Sequence, residues 1–353
     1  MAALSLSAQA QTTLSSPAAS AARASDSASA IVERVRANKT NAAVLSSAIE
    51  SGFEFLRAAS YEAAAEVFGA IVEAAPREPL ALYGRAVALF NLRRVAEAEP
   101  VARASVEAAL ARASLPDQTQ AQAAEAKRRA SDALTLLATI LAVRRDNAGA
   151  LASVTKAVEL SPENFDAQLA LGRALYGAGD PAAAAKAFRA AVALKADDAR
   201  ARFFLATALE QAGDEAGALA AYRELLAVNP DIAEGHLGVG VLLVKRPGDE
   251  ALEGVKHLTR AVALNGNLYE ARVALGRALI QKGRAAEAVE HLQRAAELAP
   301  NNPEPHYQLA IAYRRLGRRQ EAEAESALVQ KLHEARRARV QQSAPATVPE
   351  SKP

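Results

Sequence analysis

The five histidines of this chain are candidate metal ligands, and two of them, His257 and His291, stand 34 residues apart. Zinc requires ligand nitrogens about 2 Å from one ion. Equivalent positions on stacked helices lie roughly 8–10 Å apart, which is too far for a shared ion. The chain also has no cysteine that would complete a ligand set. The spacing therefore favours two solvated positions of a repeat over a metal site, and we expect no cofactor.

Patterns typical of catalysis or nucleotide binding are absent from the sequence. No serine lies in a G-x-S-x-G motif, and no phosphate-binding loop with Gly-Lys-Ser or Gly-Lys-Thr occurs. Gly235, Gly238 and Gly240 lie within a helical pattern with no strand before them, so helix packing explains them better than a dinucleotide-binding fingerprint. The sequence therefore predicts a protein that is not an enzyme.

The composition favours packed helices. Of 353 residues, 51% are hydrophobic and only 4% are aromatic, with no tryptophan and one methionine, so the core must consist of Ala, Leu and Val. Lys and Arg number 42 against 40 Asp and Glu, a net charge of +2, so the chain as a whole is not built around a polyanion. No apolar run reaches the roughly 18 residues that a membrane span needs.

The 34-residue stretch Phe165–Asp198 predicts a helical hairpin. Leu169, Leu171 and Leu175 lie at spacings that place apolar side chains on adjoining faces of a helix. The glycines after them end that helix. Asp180 can cap the second helix with its carboxylate, and Pro181 suits the first helical position because no amide hydrogen is needed there. A hairpin of this size cannot bury both faces alone, so it requires stacked neighbours.

Versions of this stretch recur as eight units, at 45–78, 79–112, 131–164, 165–198, 199–232, 233–268, 269–302 and 303–336. A small residue recurs in each predicted first helix: Gly52, Ala86, Ala138, Gly172, Ala206, Gly240, Gly276 and Ala310. A second small residue recurs in each second helix: Ala64, Ala98, Ala150, Ala184, Ala218, Gly254, Ala288 and Ala322. Four residues later stand Phe68, Ala102, Val154, Phe188, Tyr222, Leu258, Leu292 and Ser326. We expect the small residues to form the contact between the two helices, with the larger residue beside them.

This pattern resembles the tetratricopeptide repeat family over residues 45–336. The resemblance implies an all-α fold in which antiparallel helix pairs stack into a right-handed superhelical solenoid. The concave groove of such a solenoid is lined by the first helix of each unit, and it holds peptides, helices or partner domains. The expected function is therefore that of a non-catalytic scaffold or adaptor for a protein or peptide partner, and we expect a bacterial origin.

The resemblance also implies which side chains face the groove. These are Tyr83, Phe90, Asn91, Arg173, Tyr176, Arg200, Phe203, Gln211, Lys245, Arg277, Gln281, Tyr307, Arg314 and Arg315. Aromatic residues and Arg dominate binding energy at interfaces, and Arg can hold a carboxylate in a bidentate fork. The cochaperone branch of the family uses a Lys and Asn clamp that is absent here as such. We therefore expect an acidic or extended segment held by Arg173, Arg277 and Arg314. The alternative is that the aromatic side chains only fill gaps between repeats and the arginines are solvated.

Three features depart from the regular repeat. Pro100 lies in the second helix of the second unit, where a missing backbone bond should kink the helix. Residues 113–130 are an insertion, which from Asp117 onward is expected to lengthen the first helix of the third unit. Extra residues around Lys245–Asp249 predict a longer turn. These departures leave two alternatives open. The repeats form one continuous solenoid, which we favour, or they form two sub-arrays that are divided near 113–130.

The two ends of the chain differ from the repeats. Residues 1–24 are rich in Ala, Ser and Gln, which predicts a disordered tail. Because Ala8-Gln9-Ala10 has the form of a signal-peptidase site, the alternative is the remnant of an export signal that begins upstream. Residues 25–44 are expected to form a capping helix from Ser27, with Asp26 as its cap. The last unit should continue as a polar capping helix to about residue 340, followed by a disordered tail at 341–353.

Other functions remain as alternatives. If Ala8-Gln9-Ala10 ends a signal peptide, the chain is periplasmic or secreted rather than cytoplasmic. It would then suit an accessory subunit of a cell-envelope or secretion complex. The basic clusters Lys127–Arg129 and Arg336–Arg339 could touch the phosphates of nucleic acid or of a membrane. Both clusters are short and have acidic residues nearby, so no nucleic-acid partner is expected. An enzyme-associated role is the most distant alternative.

Overall fold

A computed structural model describes residues 17–343, with the side chains of 27–339. These described residues form seventeen α-helices joined by short turns, and no strand occurs among them. The all-α class predicted from the sequence is therefore confirmed. The chain divides into two compact units, Met1–Leu194 and Lys195–Pro353. Among the residues described, no helix combines the length and the apolar composition that crossing a bilayer requires.

The first unit contains nine of the described helices. They are α1 (Pro17–Ala37), α2 (Ala42–Arg57), α3 (Tyr61–Ala74), α4 (Pro79–Asn91), α5 (Val95–Ala113), α6 (Gln120–Val143), α7 (Asn147–Leu160), α8 (Phe165–Gly177) and α9 (Pro181–Leu194). Helices α2 to α9 pack as four consecutive hairpins, in which the earlier helix is here called the first helix and the later one the second. The first helices α2, α4, α6 and α8 also lie side by side, and α1 packs on α2 and α3.

The second unit repeats this arrangement. Its described helices are α10 (Ala199–Gln211), α11 (Glu215–Val228), α12 (Ala233–Leu243), α13 (Asp249–Leu264), α14 (Tyr269–Gln281), α15 (Ala285–Leu298), α16 (Pro303–Arg315) and α17 (Arg319–Ser343). They form four hairpins, and each second helix packs on the first helix of the next hairpin within the unit. The first helices α12, α14 and α16 lie side by side.

Short-range hydrogen bonds fix where several second helices begin. The carboxylates of Asp146, Asp180 and Asp214 each accept a hydrogen bond from the amide three residues ahead, at 2.9 Å. Such caps satisfy amides that have no partner inside the helix. The residue just before Asp180 and Asp214 is a glycine with positive φ, which lets the chain turn without the steric cost that a side chain would bring. These caps therefore help to fix where the second helix begins in three of the hairpins.

The predicted contact between small and large residues is present in the hairpins. A Cβ atom added to Gly172 on α8 would lie 2.5 Å from the ring of Phe188 on α9, and one added to Gly276 would lie 2.5 Å from Leu292. Real Cβ atoms do not approach other atoms so closely, so a side chain at either position would require the facing residue to shift. The glycines allow the helix axes to approach until the large side chain fills the space between them.

The same large side chains also reach the next hairpin. Phe68 on α3 contacts Gly52 on α2, and an added Cβ at Gly84 on α4 would lie 2.3 Å from its ring. Tyr222 on α11 is similarly close to Gly238 on α12. The large residue thus packs against two first helices at once, which ties neighbouring hairpins together.

The ends and the insertion differ from the regular pattern. Helix α1 begins at Pro17, ten residues before the expected Ser27, and α17 continues to Ser343. Residues 120–130 form the first turns of α6, whose start is closed by a capping box between Thr119 and Gln122. Helix α5 continues through Pro100, which is exposed, to Ala113. The first unit contains the whole 113–130 segment, so the division of the chain does not fall there. The Ala8-Gln9-Ala10 motif and residues 344–353 lie outside the described residues.

We predict that Gly172→Ala lowers the free energy of unfolding by about 1–3 kcal/mol, because the added methyl must displace the Phe188 ring. The measurement is urea denaturation followed by circular dichroism. Gly177→Ala is the matched control on the same helix, because no atom lies within 4 Å of its added Cβ and alanine favours helix. Equal urea midpoints for the two variants would contradict the packing role of Gly172.

Candidate partner-binding surfaces

In the second unit, the predicted groove residues lie mostly exposed on or just after the first helices. We call this set the second-unit surface: Arg200, Phe203, Gln211, Lys245, Arg277, Gln281, Tyr307, Arg314 and Arg315. All of them except Phe203 are exposed. Because α14 and α16 are adjacent, this arrangement places Arg277, Gln281, Tyr307, Arg314 and Arg315 on two neighbouring first helices.

The cations of the second-unit surface fall into two groups. Arg200 pairs with Asp198 at 2.9 Å, and Lys245 pairs with Glu215 at 3.1 Å. The Arg315 guanidinium donates to the carbonyl oxygen of Ile280, which links α16 to the last turn of α14. By contrast, the side chains of Arg277 and Arg314 form no ion pair or hydrogen bond with another residue that the structure describes. Their donor groups face solvent and are available to a ligand.

The aromatic residues of this surface differ in role. Tyr307 on α16 is 50% exposed, which is unusual for so large a ring. Phe203 on α10 is half-buried, with its ring centroid 6.0 Å from that of Phe204 and 6.5 Å from that of Tyr222. Phe203 therefore packs against a ring of the second helix α11, whereas half of the Tyr307 side chain is open to solvent.

The first unit carries the remaining predicted residues. Arg173 and Tyr176 are exposed on α8, and the Arg173 side chain forms no ion pair or hydrogen bond with a described residue. The exposed Asn91 donates its side-chain amide to the Val87 carbonyl oxygen at 2.9 Å. Tyr83 and Phe90 are half-buried against the core formed by α4 to α8. These five residues do not form one site, because two of them belong largely to the packed interior.

A cavity of about 220 Å³ lies beside Tyr83, between α4, α5 and α6. We call it the Tyr83 cavity. Its walls include the apolar side chains of Phe53, Pro79, Leu80 and Ala109 and the polar side chains of Tyr83, Ser105, Glu125, Arg128, Arg129 and Asp132. Glu125 and Asp132 were not predicted from the sequence to belong to a site. The feature of the sequence that could have indicated this cavity is the insertion at 113–130, because it adds turns to α6 and extends that helix along α5.

Paired charges dominate the polar wall of this cavity. Glu125 accepts hydrogen bonds from Arg128 at 2.9 Å and from Arg129 at 2.7 Å, and Arg128 also reaches Asp132 at 3.3 Å. Asp132 accepts a further bond from the Asn164 amide at 2.8 Å. Because both arginines are already paired with carboxylates, the cavity has little capacity for an additional anion. The phosphate contact considered for Lys127–Arg129 is thus disfavoured by the pairing of two of its three cations.

The electrostatic environment follows from these contacts. The hydrogen bonds from Arg128, with those from Arg129, lower the pKa of Glu125 to about 2. Burial raises the pKa of Asp132, and the neighbouring Arg128 opposes that rise. Burial, aided by Asp132 and Asp166, raises the pKa of Tyr83 to about 12. At neutral pH the cavity therefore presents a neutral phenol beside a network of ion pairs.

Comparison with protein-family models identifies repeats of one kind in three segments. Residues 276–317 match a model described as a TPR repeat. Residues 52–113 and 169–231 match a model described as a tetratricopeptide repeat. The comparison with curated proteins found no match.

Several solved structures share the fold. The C-terminal part of a TPR repeat-containing protein from Cytophaga hutchinsonii is 15% identical, with a TM-score of 0.54 over 74% of this chain and 99% of that chain. A chain of the APC/C hetero-tetramer Cut9–Hcn1 is 16% identical, with a TM-score of 0.51 over 81% and 52%. PilF of Pseudomonas aeruginosa is 17% identical, with a TM-score of 0.50 over 58% and 93%. At these identities the likeness concerns the fold alone.

For the Tyr83 cavity, we predict that Glu125→Gln removes part of the acid sensitivity of the chain. A carboxylate whose folded-state pKa is lowered from 4.5 to about 2 stabilises the fold above pH 4.5, and this contribution is lost as the pH falls toward 2. Because Glu125 is partly exposed, the effect should not exceed about 1 kcal/mol. The measurement is the thermal midpoint across this pH range.

The control for this experiment is Glu107→Gln, which removes an exposed carboxylate on α5 that forms no ion pair with any residue in the described range. This variant should keep the acid dependence of the original chain. If Glu125→Gln also kept it in full, the assigned role of the arginine pair would be wrong.

Proposed function

Because this chain is a tetratricopeptide repeat protein, we propose that it is a non-catalytic scaffold that binds an acidic segment of a partner protein on its first helices. The second-unit surface is the part of the chain on which we place this binding. Arg277 and Arg314 are the residues assigned to the carboxylates of the ligand, and Tyr307 is assigned to an apolar or aromatic contact.

One contrast within the second unit carries the proposal. On the second helices, Arg223 pairs with Glu253 at 3.0 Å, Arg260 with Asp231 at 2.7 Å and Arg294 with Glu297 at 2.7 Å. On the first helices, the exposed Arg277 and Arg314 have no such carboxylate in the described part of the chain. A guanidinium without an internal partner can bind a carboxylate of another chain without first breaking an ion pair.

The energetics support a ligand with carboxylates. A hydrogen bond to a charged group contributes about 1.5–3 kcal/mol, and an Arg fork can make two such bonds to one carboxylate. The helices that carry these residues are held by buried contacts with their neighbours, so little ordering of this surface is needed on binding. An exposed aromatic side chain such as Tyr307 adds contact area with few rotatable bonds.

The alternative of an accessory subunit in a cell-envelope or secretion complex depended on Ala8-Gln9-Ala10, which lies outside the described residues. It predicts binding that does not depend on the second-unit surface. The experiment below therefore separates the two functions.

We predict that the double variant Arg277→Ala/Arg314→Ala binds Asp- and Glu-rich peptides at least about tenfold more weakly than the original chain, because two charge-assisted contacts are lost. Fluorescence anisotropy of labelled peptides gives the dissociation constants. Peptides in which Asn and Gln replace the acidic residues should bind weakly to both proteins.

The matched control is Arg223→Ala/Arg294→Ala, which removes the same charge from second helices. Both residues are about half exposed, so their ion pairs contribute little to stability. This control should bind acidic peptides as tightly as the original chain. If both double variants bound acidic peptides equally weakly, the loss would come from net charge alone and the proposed site would be wrong. Unchanged binding by Arg277→Ala/Arg314→Ala would also refute the proposal.

A further inference from the structure

Two imidazole rings face each other in the α12–α13 hairpin. His236 is the fourth residue of α12, and His257 lies on α13 immediately before the packing residue Leu258. Their Nδ1 atoms are 2.9 Å apart, and their ring centroids are 4.9 Å apart. Both rings are half-buried. The sequence periodicity pairs His257 with His291 instead, so this contact between two histidines was not predicted.

The hydrogen bonds around the rings determine which nitrogens carry lone pairs. Nε2 of His236 lies 3.0 Å from the carbonyl oxygen of Pro230, which can only accept, so Nε2 carries the hydrogen. A hydrogen bond between two Nδ1 atoms requires one of them to be unprotonated. In the neutral pair, the lone pair therefore resides on Nδ1 of His236, and Nδ1 of His257 donates to it.

We propose that His236 and His257 form a binding site for a divalent transition-metal ion such as zinc, with the two Nδ1 atoms as ligands. Two nitrogens bound to a tetrahedral zinc at 2.0–2.1 Å lie about 3.4 Å apart. The observed separation of 2.9 Å needs only a small rotation of the two side chains to reach that value. On binding, the Nδ1 hydrogen of His257 moves to its Nε2, so both rings stay neutral and no proton is released.

The groups behind the two rings suit this role. Metal-bound histidines usually donate their other ring N–H to a carbonyl or a carboxylate, which orients the ring. The Pro230 carbonyl oxygen does this for His236, and the Glu253 carboxylate lies 3.9 Å from Nε2 of His257. Glu253 is itself held by Arg223 at 3.0 Å. In the described part of the chain no third side chain completes a cluster of His, Cys, Asp and Glu ligands, so water fills the remaining coordination positions.

In the two following hairpins, the positions equivalent to His236 and His257 are not both occupied by histidine. In the next hairpin they are occupied by Arg272 and His291. In the hairpin after that, they are His306 and Glu325, joined by a 2.7 Å contact. The α12–α13 hairpin differs because both positions hold an imidazole. A bound ion would join the two helices of this hairpin, which is a role separate from the proposed peptide binding.

The test is isothermal titration of the full chain, without an affinity tag, with zinc chloride. We expect one ion per chain, with affinity weakened at least about tenfold in both His236→Gln and His257→Gln. His291→Gln, the equivalent position without an imidazole opposite, should bind zinc as the original chain does. Absence of saturable binding by the original chain, or equal loss in His291→Gln, would overturn the proposal.

A second measurement needs no variant and therefore does not depend on how well a variant folds. Diethyl pyrocarbonate modifies accessible histidines, and the sites are mapped by mass spectrometry with and without zinc. Zinc should protect His236 and His257 and leave the exposed His333 reactive. Protection of His333 to the same extent, or of neither member of the pair, would contradict the site.

Discussion

The close contact between a glycine or alanine on one helix and a bulky side chain on the next is the constraint on which the packing of each unit depends. At Gly172, even one added carbon would collide with the Phe188 ring. The contact extends beyond the hairpin where a ring such as Phe68 also touches Gly84 of the following first helix. A hairpin that could not bury its faces alone is thereby locked to its neighbour, as expected of a repeat protein whose stability comes from adjacent units.

Because these few buried positions maintain the packing, the exposed positions of the repeats are free to differ. In the second unit, Arg223 and Arg294 on second helices are each paired with a nearby carboxylate. The first-helix residues Arg277 and Arg314 are not neutralised within the described residues, and this difference is the basis of the proposed binding of an acidic partner. In the first unit, the extension of α6 instead brings Arg128 to the Tyr83 cavity, where its charge is already paired.

Features with a local or periodic cause were predictable from the sequence. The carboxylate cap at Asp180 and the contact at Gly172 depend on residues at fixed spacing, so one repeat predicts the others. The His236 and His257 pair was not predictable in the same way, because its two members lie 21 residues apart within a hairpin whose turn is longer than usual. The Tyr83 cavity was missed because it is created by the insertion, where the period gives no guidance. Ion pairs between separate segments, such as Arg223 with Glu253 and Arg260 with Asp231, could be assigned only from the structure.

Site-specific photo-crosslinking tests the central proposal most directly, because it asks which face of the second unit meets a partner in the cell. A crosslinking residue at Tyr307 would report on the first helices, and one at Leu252, which is 52% exposed on α13, would report on a second helix. We expect a defined crosslinked partner from position 307 that an acidic peptide displaces, and none from position 252. A partner captured from position 252 but not from 307 would contradict it.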